Sequence, residues 1–282
     1  MKTYLSAVFL VVVFMSRLAH GQAWQQIEPG LEVGTFAAPI SSQFGESTIH
    51  VVRIDSARFG FRLLCASQHG KRKRSAPEWC REFHLVGAVN ASMFAEDGLT
   101  STGLLIADGH VNNGKVNPSF GAVFMFHPVR PDLPVVRLVD RHCDDFVVLR
   151  PLYTSMVQNF RIITCDRKPA WKQSDRIFSQ VAVGMDSAGR VLVLFTRSPY
   201  SGHDFARNLL RLPLGLTRAM YCEGGPEASV YIKSSDYELR LTGSYETGFI
   251  ENDSNKDFWP IPNVLGFAHK PGRPTEVGSE QP

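Results

Sequence analysis

Short apolar runs, each closed by a turn residue, recur along this chain and call for a fold built mainly from strands. The segment 48-TIHVVRID-55 holds a β-branched run, and 59-FGFRLLCA-66 alternates as a half-buried strand does. The run 85-LVGAVNAS-92 is continuously apolar and then stops in polar residues, as a buried strand does at a sheet edge. The runs 103-GLLIADG-109, 121-GAVFMFHP-128, 135-VVRLVD-140 and 156-MVQNFRIIT-164 continue the series. A hairpin is expected at 181-VAVGMD-186 and 190-RVLVLFTR-197, joined through Ser-Ala-Gly. Only two segments read as helix. In 75-SAPEWCREF-83, Ser75 can cap, Pro77 suits the first turn and Glu78 completes a capping box. In 201-SGHDFARNLLRL-212, Phe205, Leu209 and Leu212 recur at helical spacing before Pro213. Many strands with two helices between them imply an α+β (mixed α/β) domain: one extended, mostly antiparallel or mixed sheet with a few packed helices.

The first residues have a different purpose. Lys2, the apolar stretch from Leu5 to Met15 and Ala19-His20-Gly21 make residues 1–21 a secretory signal peptide. Residues 22–270 then form a single domain, and the polar tail 271–282 is expected to fray. No later segment is apolar enough to span a bilayer, so a periplasmic or extracellular location is expected. The formal charge is +3, but Lys2 and Arg17 fall in the leader, which leaves +1 and no electrostatic reason to expect nucleic acid. The run 71-KRKR-74 reads as a solvated loop. Export permits disulfides among Cys65, Cys80, Cys143, Cys165 and Cys222. Cys65 with Cys80, and Cys143 with Cys165, are the cheapest local pairings, and Cys222 reads as a small buried strand residue.

The chain lacks G-x-S-x-G, a phosphate-cradling Gly-rich loop, a dinucleotide fingerprint and H-E-x-x-H. His203-Asp204 stands at a helix start, where an aspartate commonly serves the free backbone amides. Polar residues at strand ends remain. Asn90 follows an apolar run, and Gln158 and Asn159 interrupt another, with Arg161 two residues on. The loop 110-HVNNGKVN-117 adds more amides. Amides and carboxylates suit sugar hydroxyls, which both donate and accept hydrogen bonds.

The corner 221-YCEGGPEASVYI-232 is the most specific feature. A turn needs Gly224, Gly225 and Pro226 but neither Glu223 nor Glu227. Across so short a turn two carboxyl groups can converge within the several ångströms that acid-catalysed glycoside cleavage requires. Crowding would also raise one pKa and keep a proton available near neutrality. The bland alternatives are a glutamate facing solvent, or a pair that holds calcium.

In order and spacing these motifs resemble the phosphodiester glycosidase family, in its exported bacterial branch. The resemblance runs through 90-NASMF-94, 101-STGLLIADG-109, 158-QNFR-161, 180-QVAVGMD-186, 187-SAGR-190 and 222-CEGGPEAS-229, and spans roughly Gly30 to Phe267. Asn90, Gln158, Gly224, Gly225 and Ser229 match the family pattern. Ser92 stands where the family has glycine, Asn159-Phe160-Arg161 replaces Ser-Gly-Pro, Gln180 replaces arginine, and Glu223 replaces aspartate.

The resemblance implies a glycoside hydrolase acting on a sugar phosphodiester or a related envelope or extracellular glycan, with no cofactor required. Glu223 and Glu227 are the expected acid/base pair. Asn90, Gln158, Asn159, Arg161, Gly224, Gly225 and Ser229 are expected to position substrate. The rival expectation is a non-catalytic glycan-binding or polysaccharide-assembly protein on the same fold.

Overall fold

The structure, a computed structural model, describes residues 24–270. The expected signal peptide and the expected C-terminal tail lie outside the described residues. Among the described residues seventeen strands fall into three sheets, and every strand pair is antiparallel. The α+β class expected from the sequence holds. The single extended sheet does not, because the strands divide among three.

The largest sheet contains β1 (Gln25–Glu28), β2 (Leu31–Ala37), β3 (Thr48–Ile54), β11 (Arg161–Ile163), β12 (Phe178–Asp186), β13 (Val191–Tyr200) and β14 (Leu216–Gly224), in the order β1-β2-β3-β13-β12-β14-β11. The second has the order β7-β6-β10-β8-β9, from β6 (Leu105–Ala107), β7 (His110–Asn113), β8 (Ala122–Pro128), β9 (Val136–Asp140) and β10 (Tyr153–Asn159). The third has the order β16-β15-β5-β17-β4, from β4 (Phe59–Cys65), β5 (Gly87–Asn90), β15 (Ser229–Ser234), β16 (Tyr237–Thr242) and β17 (Asn263–His269).

The three sheets share one central core, and strand alternation explains how. Val191, Val193 and Phe195 of β13 enter the shared cluster, whereas Leu192 and Leu194 point to the opposite face. Phe124 and Phe126 of β8, and Phe61 and Leu63 of β4, meet them from the other two sheets. Each such side chain contributes about 1.5–3 kcal/mol by leaving water. On the outer faces, α3 (Gly202–Arg211) packs Phe205, Ala206 and Leu209 against the first sheet. Trp79 and Cys80 of α1 (Ala76–Phe83) pack against the third. The short α2 (Phe146–Leu149) packs Phe146 against the second. The expected capping box is present in α1, where Glu78 accepts from the Ser75 backbone N–H and hydroxyl, both at 2.8 Å.

Three local expectations are corrected. The run read as one strand, 156–164, splits at Phe160, so that β10 belongs to the second sheet and β11 to the first. Cys143 and Cys165 form a disulfide, but Cys65 and Cys80 are buried free thiols. Those two lie on opposite sides of the third sheet, Cys65 in the central core and Cys80 under α1. The loop 71–74 is not wholly solvated either. Arg74 is buried, grips both carboxylate oxygens of Glu82 at 2.6 and 2.7 Å, and lies over Trp79.

Candidate active site

The end of β14 meets the start of β12, where Val181 pairs with Glu223 and Gln180 with Gly224. A bulge between Val181 and Ala182 leaves Cys222 as the extra residue and bends the strand as it reaches the corner. Met220 and Cys222 face the core, and Tyr221 lines the cleft together with Glu223. Gly225 then turns with φ +61°, a conformation that glycine adopts without penalty. A side chain there would also collide with the carboxylate of Glu246. At Gly224 a Cβ would come within 2.5 Å of the Tyr221 hydroxyl and 2.7 Å of Phe178. The double glycine therefore admits a third carboxyl group and an aromatic ring against the backbone.

Glu246 belongs to the stretch after β16, which lies along the beginning of β12. The Ser179 N–H donates to the Tyr245 carbonyl at 2.9 Å, Phe178 bridges to Glu246, and the Glu246 N–H donates to the Ile250 carbonyl at 2.8 Å. Sequence reading missed Glu246 because no local spacing connects it to a turn more than twenty residues earlier.

Glu223 and Glu246 open into a cleft of about 280 Å³ walled by Phe160, Trp171, Phe178 and Tyr221, with exposed Lys172 and Arg176 on its rim. Trp171 is fixed by its indole N–H, which donates to the Arg161 carbonyl at 2.7 Å, and its ring leaves no space for a side chain at Gly202. A lone tryptophan in the polar segment 171-WKQSDR-176 was the one available hint of this wall.

Burial pushes the Glu223 carboxyl up to about 8, helped by the charges of Glu227 and Glu246 and opposed by its bond from the Gly224 N–H. Burial raises Glu246 as well, against the pull of Arg176, whose nearest nitrogen is 3.9 Å away. Burial also raises Glu227, with Glu246 adding to the effect and Lys73 opposing it. Glu227 does not line this cleft. The three carboxyl groups thus share one electrostatic neighbourhood without forming a tight cage. Among the described residues, the trio of acidic, histidine or cysteine ligand atoms mutually within 4.8 Å is Asp140, Cys143 and Cys165, and its two sulfurs are spent in the disulfide.

The amides expected to face substrate are placed behind the corner. The Asn90 amide donates to the Glu227 carbonyl at 2.8 Å and accepts from the Ser229 N–H and hydroxyl at 2.8 and 3.0 Å, so it pins both ends of the turn. Gln158 is wholly buried. Its oxygen accepts from the Leu104 and Asn117 N–H groups, and its nitrogen donates to the Asn117 and Phe120 carbonyls. Asn159, also wholly buried, donates to the Cys222 carbonyl at 2.9 Å and ties the second sheet to β14. Arg161 is paired with buried Asp140 at 3.1 Å. Gln180, at the position where the family resemblance calls for arginine, lies opposite Gly224 and donates to the Tyr200 carbonyl at 2.7 Å. His203 and Asp204 do not bond to each other; His203 Nδ1 lies 2.8 Å from the Trp171 carbonyl and Asp204 accepts from Gln173.

By sequence alone no curated protein matches the chain. The fold is similar to the catalytic domain of zebrafish N-acetylglucosamine-1-phosphodiester α-N-acetylglucosaminidase, auto-inhibited by its pro-peptide in that structure. The TM-score is 0.60 at 15% identity, over 87% of this chain and 86% of that one. A hypothetical protein from Synechocystis shares the fold at a TM-score of 0.55 and 12% identity, over 85% of this chain and 62% of that one. The family model described as phosphodiester glycosidase matches residues 83–268, a span that contains β14, its glutamate corner and the stretch carrying Glu246. The chain belongs to the phosphodiester glycosidase family.

Proposed function

We propose that the protein is an exported glycoside hydrolase that cleaves a sugar phosphodiester or a related envelope or extracellular glycan, with Glu223 as its general acid. One observation carries this reading: a carboxyl group raised to about 8 sits in an aromatic-walled cleft with other carboxyl groups close by. At neutral pH the Glu223 carboxyl retains its proton. It passes that proton to the bridging oxygen as the bond from the anomeric carbon breaks, and water adds to that carbon. Glu246, which lines the same cleft, takes the proton from water and offsets the positive charge that develops on the sugar ring, while Glu227 acts through the field it adds at Glu223. Trp171 and its aromatic neighbours supply flat apolar faces for the sugar, and Lys172 and Arg176 supply positive charge for a phosphate. In this reading Asn90, Asn159, Gly224, Gly225 and Ser229 hold the acidic corner in place, whereas Gln158 fixes the backbone of Leu104, Asn117 and Phe120 and Arg161 pairs with Asp140. The Cys143–Cys165 disulfide supports export to an oxidising compartment.

The test uses the mature protein with a panel of sugar-1-phosphodiesters and matched neutral glycosides, read by release of reducing ends. A phosphate leaves as a stable anion with little help from an acid, whereas a sugar alkoxide needs a proton. Glu223→Gln should therefore slow the neutral glycosides more than the phosphodiesters. Full rates on both classes in that variant would remove Glu223 from the mechanism.

A further inference from the structure

The geometry points to a second sugar-binding site, on the other side of the stretch that carries Glu246, which receives further units of an oligosaccharide whose reacting unit occupies the Glu223 cleft. This inference rests on the glycosidase reading and names its substrate class: a chain of sugars.

A separate cleft of about 390 Å³ lies between the loop before β3, the end of β13 and the segment after β16. Its principal wall is an aromatic pair, Phe44 and Tyr245, stacked with centroids 5.3 Å apart and planes 19° from parallel. Phe44 is 48% exposed, so part of its ring is open to solvent. Its loop is nevertheless held firmly. The Ser42 hydroxyl donates to the Pro199 carbonyl at 2.7 Å, the Ser47 N–H donates to the Ser198 hydroxyl at 2.9 Å, and Asn208 bonds both backbone groups of Ile40 at 2.6 and 3.1 Å. The other side is equally tied. Arg197 donates to the carbonyls of Thr242, Asp253 and Asn255 at 2.7, 3.1 and 2.7 Å.

The chemistry of this cleft suits a sugar. A pyranose offers an apolar C–H face and a ring of hydroxyl groups that both donate and accept. Phe44 provides a fixed flat surface for the first, and Glu46, Glu251, Arg240 and Lys256 provide acceptors and donors of mixed sign for the second. A site for a polyanion would carry one sign of charge. The two clefts are adjacent through the backbone itself. Tyr245 lines this one and Glu246 lines the other. Their segment is paired along the start of β12, where successive side chains point to opposite sides.

The experiment measures binding without turnover. The Glu223→Gln protein is titrated calorimetrically with gluco-, manno-, N-acetylglucosamine and uronate oligomers, from monosaccharide to hexasaccharide. Affinity for at least one series is expected to rise with length by about tenfold, and Phe44→Ala on the same background should remove that gain while leaving monosaccharide binding intact. In the otherwise native enzyme, Phe44→Ala should raise KM for the longer substrate and leave turnover of a monosaccharyl phosphodiester unchanged. Affinities independent of length in every series, or a length gain untouched by Phe44→Ala, overturn the second site. A Phe44-dependent length gain in a protein that hydrolyses no substrate would keep the site and overturn the glycosidase reading instead.

Discussion

Two groups of polar side chains lie on either side of the glutamate turn, and they are held in opposite ways. Behind it, Gln158 makes four hydrogen bonds within the protein and Asn90 makes three. In front of it, among the described residues, Glu223 accepts only from the N–H of its neighbour Gly224, at 3.1 Å. The amides are polar groups whose capacity is used up by the fold; the carboxyl is one whose capacity is left open in a cleft. The contrast teaches that strand-end polarity alone does not mark chemistry. What marks it is a titratable group without a full set of partners, held where its charged form is disfavoured.

The strongest way to break this comparison is Glu223→Gln. Loss of a general acid should lower kcat on neutral glycosides by about 10²–10⁴-fold, while the thermal midpoint holds or rises because a poorly partnered carboxyl is gone. A variant that unfolds would place Glu223 with the structural amides. Gln158→Leu should do the reverse. It strands two N–H groups and two carbonyls in the interior, so denaturant unfolding should show a loss of about 3 kcal/mol, with kcat per folded molecule nearly unchanged.

A smaller effect sharpens the comparison through pH. The folded pKa of Glu223, about 8, lies above its ordinary 4.5, so the native state holds this proton longer than the unfolded chain does. Its contribution to stability is complete below pH 4.5 and is lost as pH rises through 8, by about 1–2 kcal/mol after allowance for solvent access. Denaturation midpoints across that window should fall for the native protein and stay flatter for Glu223→Gln. The smallest expected change comes from Lys73→Met. Lys73 opposes the burial that raises Glu227, so its removal should lift Glu227 further, read as a displacement to higher pH in an NMR titration of that carboxyl.

Local features were legible in the sequence wherever their cause is local. The α1 cap depends on Ser75 and Glu78, three residues apart, and the β12–β13 hairpin on a turn of a few residues. The Gly-Gly corner announced itself for the same reason. What stayed hidden depends on pairing at a distance. β17 reads as one more apolar run, yet it lies in the interior of the third sheet, between β5 and β4. Glu246 sits in a polar stretch without periodicity, and it reaches the site through pairing with the start of β12 and the space left by Gly225. The amides were recognised as unusual, but their direction was not. Asn159 looks the same in sequence whether it meets a ligand or the Cys222 carbonyl. The free state of Cys65 and Cys80 follows from the third sheet standing between them, which sequence separation does not reveal.

The passage of the chain from β10 into β11 has a mechanical consequence. Asn159 and Arg161, two residues apart, are laced into different layers, so neither layer can peel away without pulling on the other. Unzipping from one edge should be forbidden, and amide exchange at the middle of β8 and of β12 should report the same opening event. The glutamate corner is thereby anchored to strands of two layers at once, and freedom to move is left to the surface segments around it.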